Sequence, residues 1–274
     1  MLQSIKLNQE YYTENYLKKN RREKNWEVSL SQLNLSKTEF VAYLDCPLKF
    51  YLLKQQNLYT RQGPRSNASN KFYRVPTKKG IESHNKLKAF YSLYSKALRR
   101  GEPPPEKVLQ EKLLRLFWDQ ETHCYKVQSE YWFPLALEIY IATPTMRGII
   151  DRVDQLDDHT CRLVEYKSSP KGSFLNEELL FYALLVSESK AFQQQYKKVV
   201  TQGAVYYYET GEWLTREITK EDIHDFKGYL QSIREDIMTG NWIKRYQCEF
   251  QKHECFFATV CIKVPDALLR ESSD

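Results

Sequence analysis

The chain has 274 residues, enough for one large domain or two modest ones. Its hydrophobic content of 42% supplies a core, and no run of about eighteen apolar residues exists, which excludes a transmembrane helix. The net charge of +6, from 41 basic and 35 acidic residues, is a mild bias compatible with a nucleic-acid partner. Residues 1–35 are too polar for a secretory signal, so the protein is expected in the cytoplasm. In that reducing compartment its six cysteines are not expected to form disulfides.

In chain order, residues 1–35 form a polar segment with a basic run from Lys18 to Lys24, read as a solvated face. At Ser36-Lys-Thr-Glu39 the spacing is that of a capping box, with Ser36 as N-cap and Glu39 reaching back. The helix it opens runs through "FVAYLD" toward Cys46. Pro47 suits the first turn of a second helix, placing Cys46 at a helix N-terminus, where a thiolate is favoured. Residues 55–76 have no period and many turn formers, and read as a loop. A helix from Lys78 to Arg99 follows, with Ile81, His84, Leu87, Tyr91, Tyr94 and Leu98 on one apolar face. "GEPPPE" is a rigid connector, and the helix after it is expected to end near Gln120.

From Lys126 the period becomes two. "QSEYWFPLALEIYIAT" reads as two strands broken near Pro134. A hairpin follows over 148–169. A helix over "SFLNEELLFYALLVSES" comes next, capped by Ser173, then a hairpin turning at Glu209 to Glu212, then a helix from Glu221 to Met238. These elements divide the chain into a polar segment (1–35), a helical flank (36–125), a core (126–240) and a cysteine-rich tail (241–274). The fold class is α/β.

The hairpin "GIIDRVDQLDDHTCRLVEYKSS" poses a physical problem, because each of its apolar strands carries a carboxylate. A symmetric hairpin centred on Asp158 sets Asp151 opposite Glu165, with Cβ atoms about 4.5–5.5 Å apart. Lys167, two residues on, shares the face of Glu165. Opposed like charges are unfavourable alone. Either the face is solvated, with Lys167 and Glu165 as an ion pair, or a divalent cation with a preference for hard oxygen ligands, Mg²⁺ or Mn²⁺, lies between the carboxylates.

Gly148-Ile-Ile-Asp151-Arg-Val followed by Glu165-Tyr-Lys167 resembles the PD-(D/E)xK nuclease superfamily, and more narrowly its RecB-like exonuclease branch. Gly80-Ile-Glu-Ser-His84 is similar to the upstream helix that supplies a histidine ligand in that branch. Glu178 and Tyr182 stand where the branch usually has Gln-x-x-x-Tyr. "SKTEFVAYLDCPLKFYL" is similar to the cysteine-bearing helix of its iron–sulfur members, which include AddB-like helicase-nuclease subunits and CRISPR spacer-acquisition nucleases.

The resemblance implies a restriction-endonuclease-like mixed sheet flanked by helices. It implies metal binding by Asp151, Glu165, His84 and the Tyr166 carbonyl, with Lys167 catalytic and Tyr182 positioning the strand. A glutamate at 178 in place of an amide changes both charge and hydrogen bonding. It also implies a [4Fe–4S] cluster on Cys46, Cys248, Cys255 and Cys261, stapling the two chain ends together. The gap between Cys248 and Cys255 is longer than the family's, and four thiolates suit zinc as well. Cys124 and Cys161 read as small buried residues.

Basic residues interleaved with aromatics suit either a path for single-stranded DNA or ordinary solvated loops: Arg61, Arg65, Lys71, Phe72, Tyr73 and Arg74, then Trp242, Lys244, Arg245 and Tyr246. The expected activity is that of a metal-dependent DNA exonuclease acting on single strands or ends, in repair, recombination or CRISPR spacer acquisition. A helicase or integrase-type protein is the expected partner class. The competing expectation is a non-catalytic DNA- or protein-binding subunit of a larger complex.

Overall fold

A computed structural model describes residues 33–47, 50, 78–170 and 174–239. The two stretches expected to line the DNA path, Ser173, and Cys248, Cys255 and Cys261 lie outside these residues. The described part is a mixed sheet between two layers of helices, the α/β arrangement the pattern implied.

The chain enters as a two-residue strand, β1 (Leu35–Ser36), and turns directly into α1 (Lys37–Asp45). The capping box is formed as expected: Glu39 N donates to Ser36 Oγ at 3.2 Å, and Ser36 N donates to Glu39 Oε2 at 2.8 Å. Arg147 on the sheet adds a 3.0 Å ion pair to the same Glu39 oxygen, so the cap is tied to the core. Cys46 ends α1, and its carbonyl accepts from Phe50 N at 2.9 Å, the helical restart expected at Pro47.

Helix α2 (Lys78–Arg99) has the expected bounds, although Ile81 faces solvent. The next helix differs from expectation. It divides at Glu111 into α3 (Glu106–Gln110) and α4 (Lys112–Val127), and α4 continues past Gln120. The segment before Pro134 is therefore not a strand. Its Trp132 is buried against α4, donating through Nε1 to Glu121 at 2.8 Å, and this anchor holds 128–134 as a turn.

The sheet then builds from β2 (Ala136–Ala142), β3 (Met146–Gln155) and β4 (Thr160–Lys167). Helix α5 (Leu175–Glu188) starts with Phe174, not Ser173, in its cap position. Ser189 caps α6 (Lys190–Tyr196) by accepting from Phe192 N. The second hairpin, β5 (Val199–Tyr207) and β6 (Glu212–Glu217), precedes α7 (Lys220–Thr239). Strands β1 and β3 are parallel, as are β4 and β5; the other pairs are antiparallel.

Two cores hold the layers. Helices α1, α5 and α7 bury Phe40, Phe181, Leu185 and Phe226 against Val153, Leu163 and Val205. Helices α2 and α4 bury Phe90, Tyr91, Phe117 and Trp118 against Val164, Tyr166 and Tyr206 on the other face. Helices α2 and α4 of the flank thus pack on one face of the sheet, and α1, α5 and α7 on the other. Among the described residues, no helix is long and apolar enough to cross a membrane.

Candidate active site

The pairing of β3 creates the site. Arg147 pairs with Ala142 of β2 and with Ser36 of β1, so β1 and β2 lie on opposite edges of β3. Strand β4 occupies the same edge as β1, but its ladder to β3 runs only from Gln155↔Cys161 to Arg152↔Val164. Between the end of that ladder and β1 the strands fork. Continuing the register places Asp151 opposite Glu165, as the symmetric hairpin required. The Asp151 side chain replaces the next ladder bond: Tyr166 N donates to its Oδ2 at 2.8 Å.

Five more side chains enter the fork. His84 of α2 brings Nδ1 to 3.2 Å from Asp151 Oδ1, and its ring stands edge-on to those of Tyr166 and Tyr208. Lys167 Nζ lies 3.0 Å from Glu165 Oε1 and 2.7 Å from Glu178 Oε2. Lys37 Nζ lies 2.9 Å from each of the same two oxygens. Two ammoniums and two carboxylate oxygens therefore alternate in a four-cornered cluster. Tyr182 is buried beside it and donates its hydroxyl to the Ile149 carbonyl at 2.6 Å. The ring lies so close to β3 that a Cβ on Gly148 would meet Tyr182 Cε1 at 2.8 Å, which explains the glycine before Ile-Ile-Asp.

The charges are strongly perturbed. Burial disfavours the Glu165 carboxylate, but Lys37 and Lys167 outweigh it and hold its pKa at about 2. Asp151 goes the other way, raised by burial and by the Glu165 charge against the bonds from His84 and Tyr166 N. Burial opposes the charge on His84, yet Asp151 raises its pKa above the ordinary imidazole value. For Lys37, burial is outweighed by Glu165 and Glu178, and the pKa rises well above the usual lysine value.

A model of the PD-(D/E)XK nuclease superfamily matches residues 34–262. The chain belongs to this superfamily. A search of the curated proteins found no match. Superfamily members generally use Mg²⁺ or Mn²⁺.

The donor chemistry of this PD-(D/E)XK site fits such an ion. Glu165 Oε2 is buried with no hydrogen-bond partner, an expensive arrangement that a hard cation would relieve. Asp151 and Glu165 raise one another's cost of ionisation, which a divalent charge reverses. The packing is arranged around the two lysines, and among the described residues no three His, Cys, Asp or Glu side chains are gathered in ligating geometry.

The structure brings together His84, Asp151, Glu165, Tyr166, Lys167, Glu178 and Tyr182, all expected at the site. Lys37 is the residue sequence reasoning missed. Its one local signal is a lysine in the first turn of a helix, where the macrodipole disfavours a cation. Only β1 pairing beside the fork shows what offsets that cost.

Proposed function

We propose that the protein is a metal-dependent deoxyribonuclease of the RecB-like branch, hydrolysing phosphodiester bonds at single strands or DNA ends. The observation that carries this is the fork itself, where Asp151, Glu165 and Lys167 converge with His84 seated on Asp151. Asp151, Glu165, His84 and the Tyr166 carbonyl would hold the cation. A bound Mg²⁺ or Mn²⁺ supplies charge neutralisation at the phosphate and a lowered pKa for water.

The chain's own residues do the remaining work. Lys167 places its ammonium where charge builds on a phosphate oxygen, and Glu178 orients it. The Tyr182 bond to Ile149 O keeps the β3 backbone, and with it Asp151, in place. In this reading Tyr182 acts on the DNA strand through that backbone position. Repair, recombination or CRISPR spacer acquisition is the proposed setting, with a helicase or integrase-type partner.

The same reading assigns Cys46, Cys248, Cys255 and Cys261 to a [4Fe–4S] cluster that staples the chain ends together. Iron and acid-labile sulfide in anaerobically purified protein, lost in Cys255→Ala, would support it. A zinc-loaded protein would replace iron with zinc in the assignment.

The decisive experiment is cleavage of end-labelled single- and double-stranded DNA with Mn²⁺, with Mg²⁺ and with chelator, beside Lys167→Ala. The expected result is metal-dependent cleavage that drops at least about a thousandfold in the variant. DNA binding without cleavage under any metal would favour the binding-subunit reading instead.

A further inference from the structure

Lys37, which the sequence did not mark, touches Glu178. Glu178 is a buried carboxylate where the RecB-like branch usually has an amide. Lys37 is largely buried at the first position of α1 and reaches Glu178 Oε2 and Glu165 Oε1 at 2.9 Å each. Its ammonium also stands 5.5 Å from the centroid of the Tyr182 ring. Its place is dictated by the backbone, because the capping box and the β1–β3 pairing fix the residue next to Ser36.

The charges explain the pairing. Asp151, Glu165 and Glu178 are three carboxylates, and Lys167 alone would leave two of them uncompensated within one buried cluster. An uncompensated buried charge is costly, and a third carboxylate beside the cation site would repel an incoming phosphate. Lys37 compensates one of those two, and the remaining carboxylate, Asp151, is the one His84 contacts. An amide at 178 with no Lys37 and the Glu178–Lys37 pair leave the site with the same net charge.

We propose that Lys37 is a positioning residue of the nuclease site that acts as one unit with Glu178. It holds Glu178 as the orienting acceptor of Lys167 and keeps that carboxylate from serving as a further ligand to the cation. The proposal rests on the nuclease reading for its function, and its test is independent of cleavage.

The test is a cycle of Lys37→Met, Glu178→Gln and the double variant, read by Mn²⁺ affinity from the electron paramagnetic resonance of free Mn²⁺. Lys37→Met releases Glu178 toward the cation and should tighten Mn²⁺ binding about tenfold in the wild-type background. In the Glu178→Gln background the same change should move affinity by less than about threefold. Urea midpoints in chelator should show the same coupling, with the double variant less destabilised than the two single losses combined.

An equal gain in both backgrounds, or no Mn²⁺ binding by any variant, overturns the proposal. If Lys37→Met fails to fold, Lys37→Gln gives the same comparison while keeping a hydrogen-bond donor. A wild-type protein that shows the coupling yet cuts no DNA refutes the nuclease reading and leaves the pair standing.

Discussion

Asp151 and Arg152 are consecutive residues that belong to two differently built charged clusters. Around Arg152 every charge is matched. Its guanidinium binds Asp154 through Nε and Glu121 through Nη1 at 2.6 Å, and Arg162 adds a 2.9 Å bond to Asp154. Trp132 Nε1 takes the other Glu121 oxygen, and the Arg152 guanidinium lies 5.3 Å from the Tyr91 ring centroid and 5.7 Å from that of Trp213. Arg152 and Glu121 are almost completely inaccessible to solvent.

Around Asp151 the balance is incomplete. Like charges face one another, Glu165 Oε2 has no partner, and two lysines crowd the same carboxylate oxygens. In the first cluster two guanidiniums and two carboxylates pair one to one, which secures the fold even though Arg162 Nε is buried with no partner. The second leaves Glu165 Oε2 without a partner and like charges face to face, an imbalance that the proposed cation would relieve.

Opposite responses to neighbouring substitutions would sharpen the contrast. Asp151→Asn should abolish metal-dependent cleavage, by at least about a thousandfold, and leave the urea midpoint in chelator unchanged or higher, since it removes a charge facing Glu165. Arg152→Met should do the reverse to the fold, costing about 3 kcal/mol or more by leaving Glu121 and Asp154 buried and unpaired. An Arg152→Met protein as stable as wild type would erase the distinction between the clusters.

A smaller effect is expected from Tyr182→Phe. Loss of the bond to Ile149 O should cost about 1 kcal/mol in urea denaturation and lower cleavage through a displaced β3, with the circular dichroism spectrum unchanged.

The smallest is a pH effect in chelator. The folded-state pKa of His84 is raised, so its contribution to stability is full below the unfolded value of about 6.5 and is lost as pH rises through the folded value. Wild type should therefore lose a fraction of a kcal/mol over that window relative to His84→Gln. Parallel pH profiles for the two proteins would mean that the His84–Asp151 contact carries no net energy.

Much of this architecture was legible in the chain. Helical periodicity marked α2 to its end residues, and the capping box marked the start of α1. The symmetric hairpin put Asp151 opposite Glu165, because a turn with no inserted residue leaves one register. What failed were elements whose limits depend on distant partners. Helix α4 extends past Gln120 and 128–134 turns because Trp132 finds Glu121 in the interior, and neither residue shows that from its neighbours in sequence.

The sequence by itself determined the residue types of the site and their spacing along two strands and two helices, since period and register are local properties of the backbone. Tertiary structure alone decided the fork between β3 and β4, the replacement of a ladder bond by Asp151, and the entry of Lys37. These depend on which edge of β3 receives β1, a contact between residues more than a hundred positions apart. That pairing is set by burial and hydrogen bonding across the whole sheet, and no stretch of sequence carries it alone.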